Sequence, residues 1–147
     1  MSPGRRPRPS AMPHPHLIWL RSAATVLLSC VVGQAGWAAA VLGGDPRYVV
    51  YHQVGAWVTL VVAVATAVVY LVLRRSAGPV NVTLVVAAAV VVTVQFSLGE
   101  LGVDFRAVHI FTGVLLAMLV TALTSWTYRH RMPQDAADSS SSSPRSV

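Results

Sequence analysis

The sequence predicts an all-α fold, a four-helix transmembrane bundle of up-down topology. Three observations carry that prediction. Charged residues make up 11% of the 147 residues and apolar residues 54%, whereas a soluble domain carries about 25% charged residues. Apart from Arg21, near the start of the first, the charges fall outside four long apolar runs, about 17–42, 49–73, 79–98 and 107–128. The connections between the runs are short: "GGDPR", "RRSAG" and "GELGVDFR".

Each run reaches the roughly 20 helical residues needed to span a hydrocarbon core of about 30 Å. All four are rich in Val and Ala, a composition that favours strands in water. In lipid, each segment must satisfy its own backbone polar groups, so uncharged runs of this length become helices. Gly43, Gly44 and Pro46 stop the first run, and Gly78-Pro79 opens the third. Short loops hold sequential helices antiparallel and side by side. Residues 1–16, rich in Pro and Arg, read as a disordered basic arm. Residues 17–130 form the four-helix transmembrane domain, and the Ser-rich residues 131–147 a disordered tail. The stretch from Ala23 to Leu42 is long enough to span by itself, longer than the apolar core of a leader peptide. The single cysteine, Cys30, excludes an intrachain disulfide.

The net charge of +6 comes from arginine alone. Arginines that flank apolar runs set orientation and offer no groove-reading face, so nucleic acid is not an expected partner; the lipid bilayer is. One end collects Arg5, Arg6, Arg8, Arg21, Arg74, Arg75, Arg129 and Arg131. The other has Arg47 and Arg106 beside Asp45, Glu100 and Asp104. Both termini are therefore expected on the cytoplasmic side.

The chain also shows a weak internal repeat. Gln34, Gly36, a loop with Arg47, then His52 and Gly55 are followed by Gln95, Gly99, a loop with Arg106, then His109 and Gly113. The order and polarity match, as two hairpins of common descent would give.

His52 and His109 each lie about one helical turn inside a run, roughly 5 Å below the outer boundary. They fall on the second and fourth helices, diagonal partners in an up-down bundle. Two imidazoles at one level across a core suit bis-histidine metal ligation, with His52 and His109 as the ligands of a haem. Arg106 is one turn outward on the face of His109, and Arg47 is placed comparably near His52. Both guanidiniums suit the propionates of a haem edge. Gly55 and Gly113, one turn deeper, permit close approach of a macrocycle or of a helix. Each feature has a plainer reading. Interfacial histidines are solvated cheaply, and the arginines can snorkel or pair with Asp45, Glu100 and Asp104. Gln34 and Gln95, polar groups within the runs, are expected to glue helices together, or else to orient a histidine. Gly33 and Gly36 read as packing glycines. Trp19, Trp37, Trp57 and Trp126 read as boundary anchors. His14, His16 and His130 read as solvated. No nucleophile–base pair, carboxylate dyad, phosphate loop or zinc spacing is present, so an enzyme is not the expected class.

The pattern "QFSLGELG…VHIFTGV" resembles one half of haem A synthase. It resembles still more closely the small uncharacterised four-helix integral membrane proteins of bacteria that share a glutamine–glycine helix followed by a histidine–glycine helix. The resemblance covers about residues 32–126. It implies a bacterial inner-membrane protein in which His52 and His109 occupy the synthase half's histidine positions. The synthase glutamate three residues before a histidine is replaced by Val49 and by Arg106, and the paired loop cysteines are absent. The oxidation chemistry therefore does not carry over. Two functions are expected: a small b-type cytochrome-like protein serving electron transfer or haem handling with a membrane redox partner, or a cofactor-free accessory subunit.

Overall fold

A computed structural model describes residues 15–130. It is an all-α four-helix bundle: α1 (Pro15–Leu42), α2 (Tyr48–Val72), α3 (Arg74–Glu100) and α4 (Arg106–Arg129), with one 3₁₀ turn, Val103–Phe105, before α4. All four helices are long and apolar enough to cross a membrane. The expected basic arm and Ser-rich tail lie outside the described residues, apart from Pro15 and His16, which belong to α1.

The largest departure from the expected boundaries is at the start of α3. A helical turn, Arg74–Ala77, precedes the break at Gly78, whose φ of +77° and ψ of 160° leave the helix before Pro79 resumes it. Only glycine adopts that φ without strain, and proline is tolerated in the first turn of the resumed helix. The main helix therefore opens at the expected Gly78-Pro79.

Each helix packs on its two neighbours, and α4 closes the ring onto α1. This places α2 and α4 on one diagonal and α1 and α3 on the other; α1 and α3 also touch across the centre. Buried positions recur every three or four residues. On α1 they are Leu17, Leu20, Ala24, Leu27 and Val31, and on α3 Ala77, Asn81, Val85, Ala88 and Val92. Small residues, Ala24, Ala63, Ala77 and Ala88, are wholly buried. They let the backbones approach, which is how helices associate where lipid supplies no hydrophobic drive. Most other large apolar side chains face outward, including Val61, Val72 and Met118, all more than 60% exposed. An outer surface of this kind suits a hydrocarbon environment.

The packed core is not centred along the bundle. From the end that carries both termini it extends to Val31, Gly55, Val92 and Leu116. Beyond them, toward the α1–α2 and α3–α4 loops, no described helical residue is buried. The turns of each helix nearest those loops thus form a loosely packed outer third, where His52, His109, Gln34 and Gln95 lie.

Near the terminal end a polar network crosses the bundle. The Tyr70 hydroxyl lies 3.0 Å from the Leu20 carbonyl oxygen and 2.8 Å from the Thr127 hydroxyl. Thr127 Oγ1 is 3.1 Å from Asn81 Oδ1, and Asn81 Nδ2 donates to the Ala77 carbonyl at 2.8 Å. The side chains of Tyr70, Asn81 and Thr127 are essentially inaccessible.

Candidate functional site: a facing histidine pair

His52 is in the second turn of α2 and His109 in the first turn of α4. The ring closure of the bundle makes these helices diagonal, so residues at equal depth face each other across the core. The two imidazole centres are 6.3 Å apart and their planes are nearly perpendicular, at 89°. Both rings are half-buried, and the Nδ1 atom of each is buried without a hydrogen-bond partner. A buried polar nitrogen without a partner costs about 1–3 kcal/mol. Two such atoms at one level mark a site whose polar capacity the protein itself does not use.

The glutamines explain how the helices come together here. Gln95 on α3 lies over Gly113 on α4, where a Cβ would stand 3.0 Å from its amide nitrogen. That nitrogen donates to the His109 carbonyl at 2.8 Å, and the Thr112 hydroxyl donates to Gln95 Oε1. Gln95 therefore ties α3 to the turn of α4 that carries His109. The first hairpin repeats the arrangement: Gln34 on α1 lies over Gly55 on α2, together with the Trp37 ring, and a Cβ there would collide with both. The halves differ in satisfaction, because Gln34 Nε2 is buried and unpartnered. Gly99 completes the surroundings of His109; its Cβ position is 3.4 Å from His109 Cε1.

Several finer expectations change. Gly55 and Gly113 receive glutamine side chains, so their faces are not open to a macrocycle. Gly36 has nothing within 4 Å of a Cβ, and Gly33 only the Trp37 ring at 4.0 Å, so neither is a close packing contact. Trp37 covers Gly55 and so packs inward. Trp19, Trp57 and Trp126 remain exposed, and the Trp57 ring also meets Phe96 with centres 4.5 Å apart. His16 and His130 are not simply solvated: His16 Nδ1 is 2.9 Å from Ser76 Oγ, and His130 Nε2 donates to the Ser76 carbonyl at 3.0 Å. His14 lies outside the described residues.

Arg47 forms a bidentate pair with Asp45, with Nη2 to Oδ2 at 2.7 Å and Nε to Oδ1 at 3.0 Å. These bonds hold the Asp45 carboxyl below its ordinary pKa. The sign follows: the pair is present above the ordinary carboxylate range and is lost as pH falls through the lowered value. Being exposed, it contributes little to stability. Arg106 begins α4, is exposed, and has no ion pair among the described residues.

The Tyr70–Thr127–Asn81 network has a signal in the sequence, at Asn81. Asn81 shares the helical register of Ala77, Val85 and Ala88, so it lies on the packed stripe of α3. A polar residue on that stripe needs a partner across the bundle.

Four apolar spanning helices around a polar outer third define a multi-pass membrane protein. Comparison with protein-family models, with curated proteins and with solved structures returns no match.

Proposed function

We propose that this protein binds a b-type haem between His52 and His109 at the loop end of the bundle, for electron transfer or haem handling. The observation that supports the reading is the facing pair itself: two imidazoles from diagonal helices, 6.3 Å between centres, with both Nδ1 atoms buried and unpartnered. Two metal–imidazole bonds of about 2 Å each separate the ring centres by roughly 6 to 7 Å. Among the described residues no three of His, Cys, Asp and Glu gather. A bare ion would be left with two protein ligands, whereas a macrocycle brings its own equatorial donors, and histidine pairs supply the axial ones. Bound there, a haem would supply one-electron chemistry.

The protein's own groups have distinct parts in this reading. His52 and His109 are the ligands. Gln95, through the His109 carbonyl and Thr112, fixes the turn that presents His109. Gln34 is the unsatisfied donor beside α2 and would orient toward the bound group. Arg106 is available to a propionate at the outer rim; Arg47 would first have to release Asp45. The synthase-like order of glutamine, glycine and histidine in both hairpins supports the same reading. The arginine distribution supports a cell-membrane topology with both termini cytoplasmic and the histidine pair near the outer face.

The test is optical. Protein purified from haem-replete cells is expected to show a Soret band, with His52→Ala and His109→Ala each abolishing it while the helical circular dichroism persists. A colourless wild-type preparation, or a band that survives both substitutions, overturns the haem reading and leaves a cofactor-free accessory subunit.

A further inference from the structure

The opposite end of the bundle carries a second polar feature that the histidine pair does not involve. An open pocket of about 460 Å³ lies at the α2–α3 turn. Its walls include His16 from α1, Leu71 and Val72 from the last turn of α2, and Arg74, Arg75 and Ser76 from the turn itself. We propose that this pocket binds a phosphate oxyanion, presented by the headgroup of an anionic glycerophospholipid.

The charge on the walls is one-sided. Arg74 and Arg75 are exposed, and neither has an ion pair among the described residues. The acidic residues among the described ones, Asp45, Glu100 and Asp104, all belong to the loop end, a full helix length away. Placing arginines at one end of a bundle sets orientation, but orientation alone does not require them to line a cavity. Here both guanidinium-bearing residues share the pocket with an imidazole and a hydroxyl. Arginine's planar fork matches phosphate oxygens in a bidentate fashion.

The turn that carries these groups is held in place. His16 Nδ1 and Ser76 Oγ are 2.9 Å apart, which ties the turn to the start of α1. His130 Nε2 donates to the Ser76 carbonyl at 3.0 Å, which ties it to the end of α4. The left-handed φ of Gly78 lets the chain bend there, and a Cβ at that position would press on His130 at 3.1 Å. A turn fixed from both sides presents its arginines without the ordering cost that flexible loops carry.

The pocket's other wall argues for a lipid as the source of the phosphate. Leu71 and Val72 are 46% and 75% exposed and sit on the bilayer side of the arginines. A lipid places its phosphate beside the basic groups and its glycerol and first methylenes beside such apolar side chains. Basic pockets between helices at a membrane surface bind anionic headgroups in this way. The inference does not rest on the haem reading.

The experiment uses the full chain in detergent micelles that contain equal amounts of phosphatidylglycerol and phosphatidylcholine, with native mass spectrometry as the readout. Wild-type protein is expected to retain phosphatidylglycerol over phosphatidylcholine about thirtyfold, the factor that two basic groups at about 1 kcal/mol each give. The R74Q/R75Q variant is expected to retain both lipids alike. The R74K/R75K variant, which keeps the charge, is expected to recover part of the preference. R106Q, at the other end, should leave it unchanged. Inorganic phosphate at millimolar concentration separates the sources. Failure to displace the lipid supports the headgroup, and displacement supports the same oxyanion site with free phosphate as its occupant. An equal preference in wild type and R74Q/R75Q, or equal retention of the two lipids by wild type, overturns the proposal.

Discussion

Gly36, Gly55 and Gly113 are all helical glycines, yet alanine would meet three different surroundings. At Gly36 a Cβ has open space, so Gly36→Ala gains the helix-propensity difference, up to about 1 kcal/mol. At Gly55 a Cβ collides with the Gln34 amide and the Trp37 ring. Overpacking of that kind costs about 1–3 kcal/mol. Gly113 is intermediate, because its one tight neighbour is the Gln95 amide at 3.0 Å. Denaturation in mixed micelles should therefore rank stability as G36A at or above wild type, then G113A, then G55A lowest. A G55A variant as stable as G36A would show that Gln34 and Trp37 do not seat against α2 at this point. The two histidines were legible in the sequence because each is an imidazole at the same depth of an apolar run. The role of the glycines was not. From spacing alone a glycine beside a histidine serves a cofactor or a neighbouring helix equally well, and only the folded bundle shows that glutamine takes the space.

Among the elements, α2 carries the most mixed buried face: Gly55, Thr59, Ala63, Thr66 and Tyr70, about one turn apart, below His52. Thr59 turns its hydroxyl back onto the Gly55 carbonyl at 2.7 Å, a bond within its own helix. Tyr70 does link helices, reaching Leu20 on α1 and Thr127 on α4. Tyr70→Phe keeps the ring and removes the bridge. Hydrogen bonds between membrane helices contribute about 0.6 kcal/mol each and at most about 1.7. The expected loss is therefore about 1 kcal/mol, measured by the same micelle denaturation, with any Soret band unaffected. A loss several times larger would mean that removing the hydroxyl also disturbs the packing of Asn81. Helix ends were legible because Gly, Pro and Arg punctuate the apolar runs. The faces of the helices were less so, because valine and alanine occupy both the lipid side and the core side, and the contrast between them is small in a chain of this composition.

At the scale of the molecule the two ends differ in kind. The terminal end is tightly packed, with Tyr70, Asn81 and Thr127 satisfied by one another. The loop end is loosely packed and leaves Gln34, His52 and His109 with buried nitrogens unpaired, whereas among the described residues the terminal end leaves only Arg21 Nε so. The number and order of the helices followed from apolar length alone, since a backbone in lipid has few alternatives. This asymmetry of packing did not, because it depends on which small residues come face to face. Among the described residues charge divides the same way: Arg21, Arg74, Arg75 and Arg129 lie at the terminal end, and Arg47 and Arg106 at the other with Asp45, Glu100 and Asp104. Under the proposed topology, in which the basic end is cytoplasmic, the histidine pair would face the outer side. Single cysteines in a Cys30→Ser background test it. Val103, 71% exposed in the α3–α4 connection, reports the loop end, and Ser140, beyond α4 in the sequence, reports the terminal end. A membrane-impermeant maleimide applied to intact cells should label V103C, and should label S140C only after permeabilisation. The reverse pattern would put the imidazoles at the cytoplasmic face and the arginine-lined pocket at the outer leaflet. Their roles would then have to be argued from the opposite compartments, although the bundle itself would be unchanged.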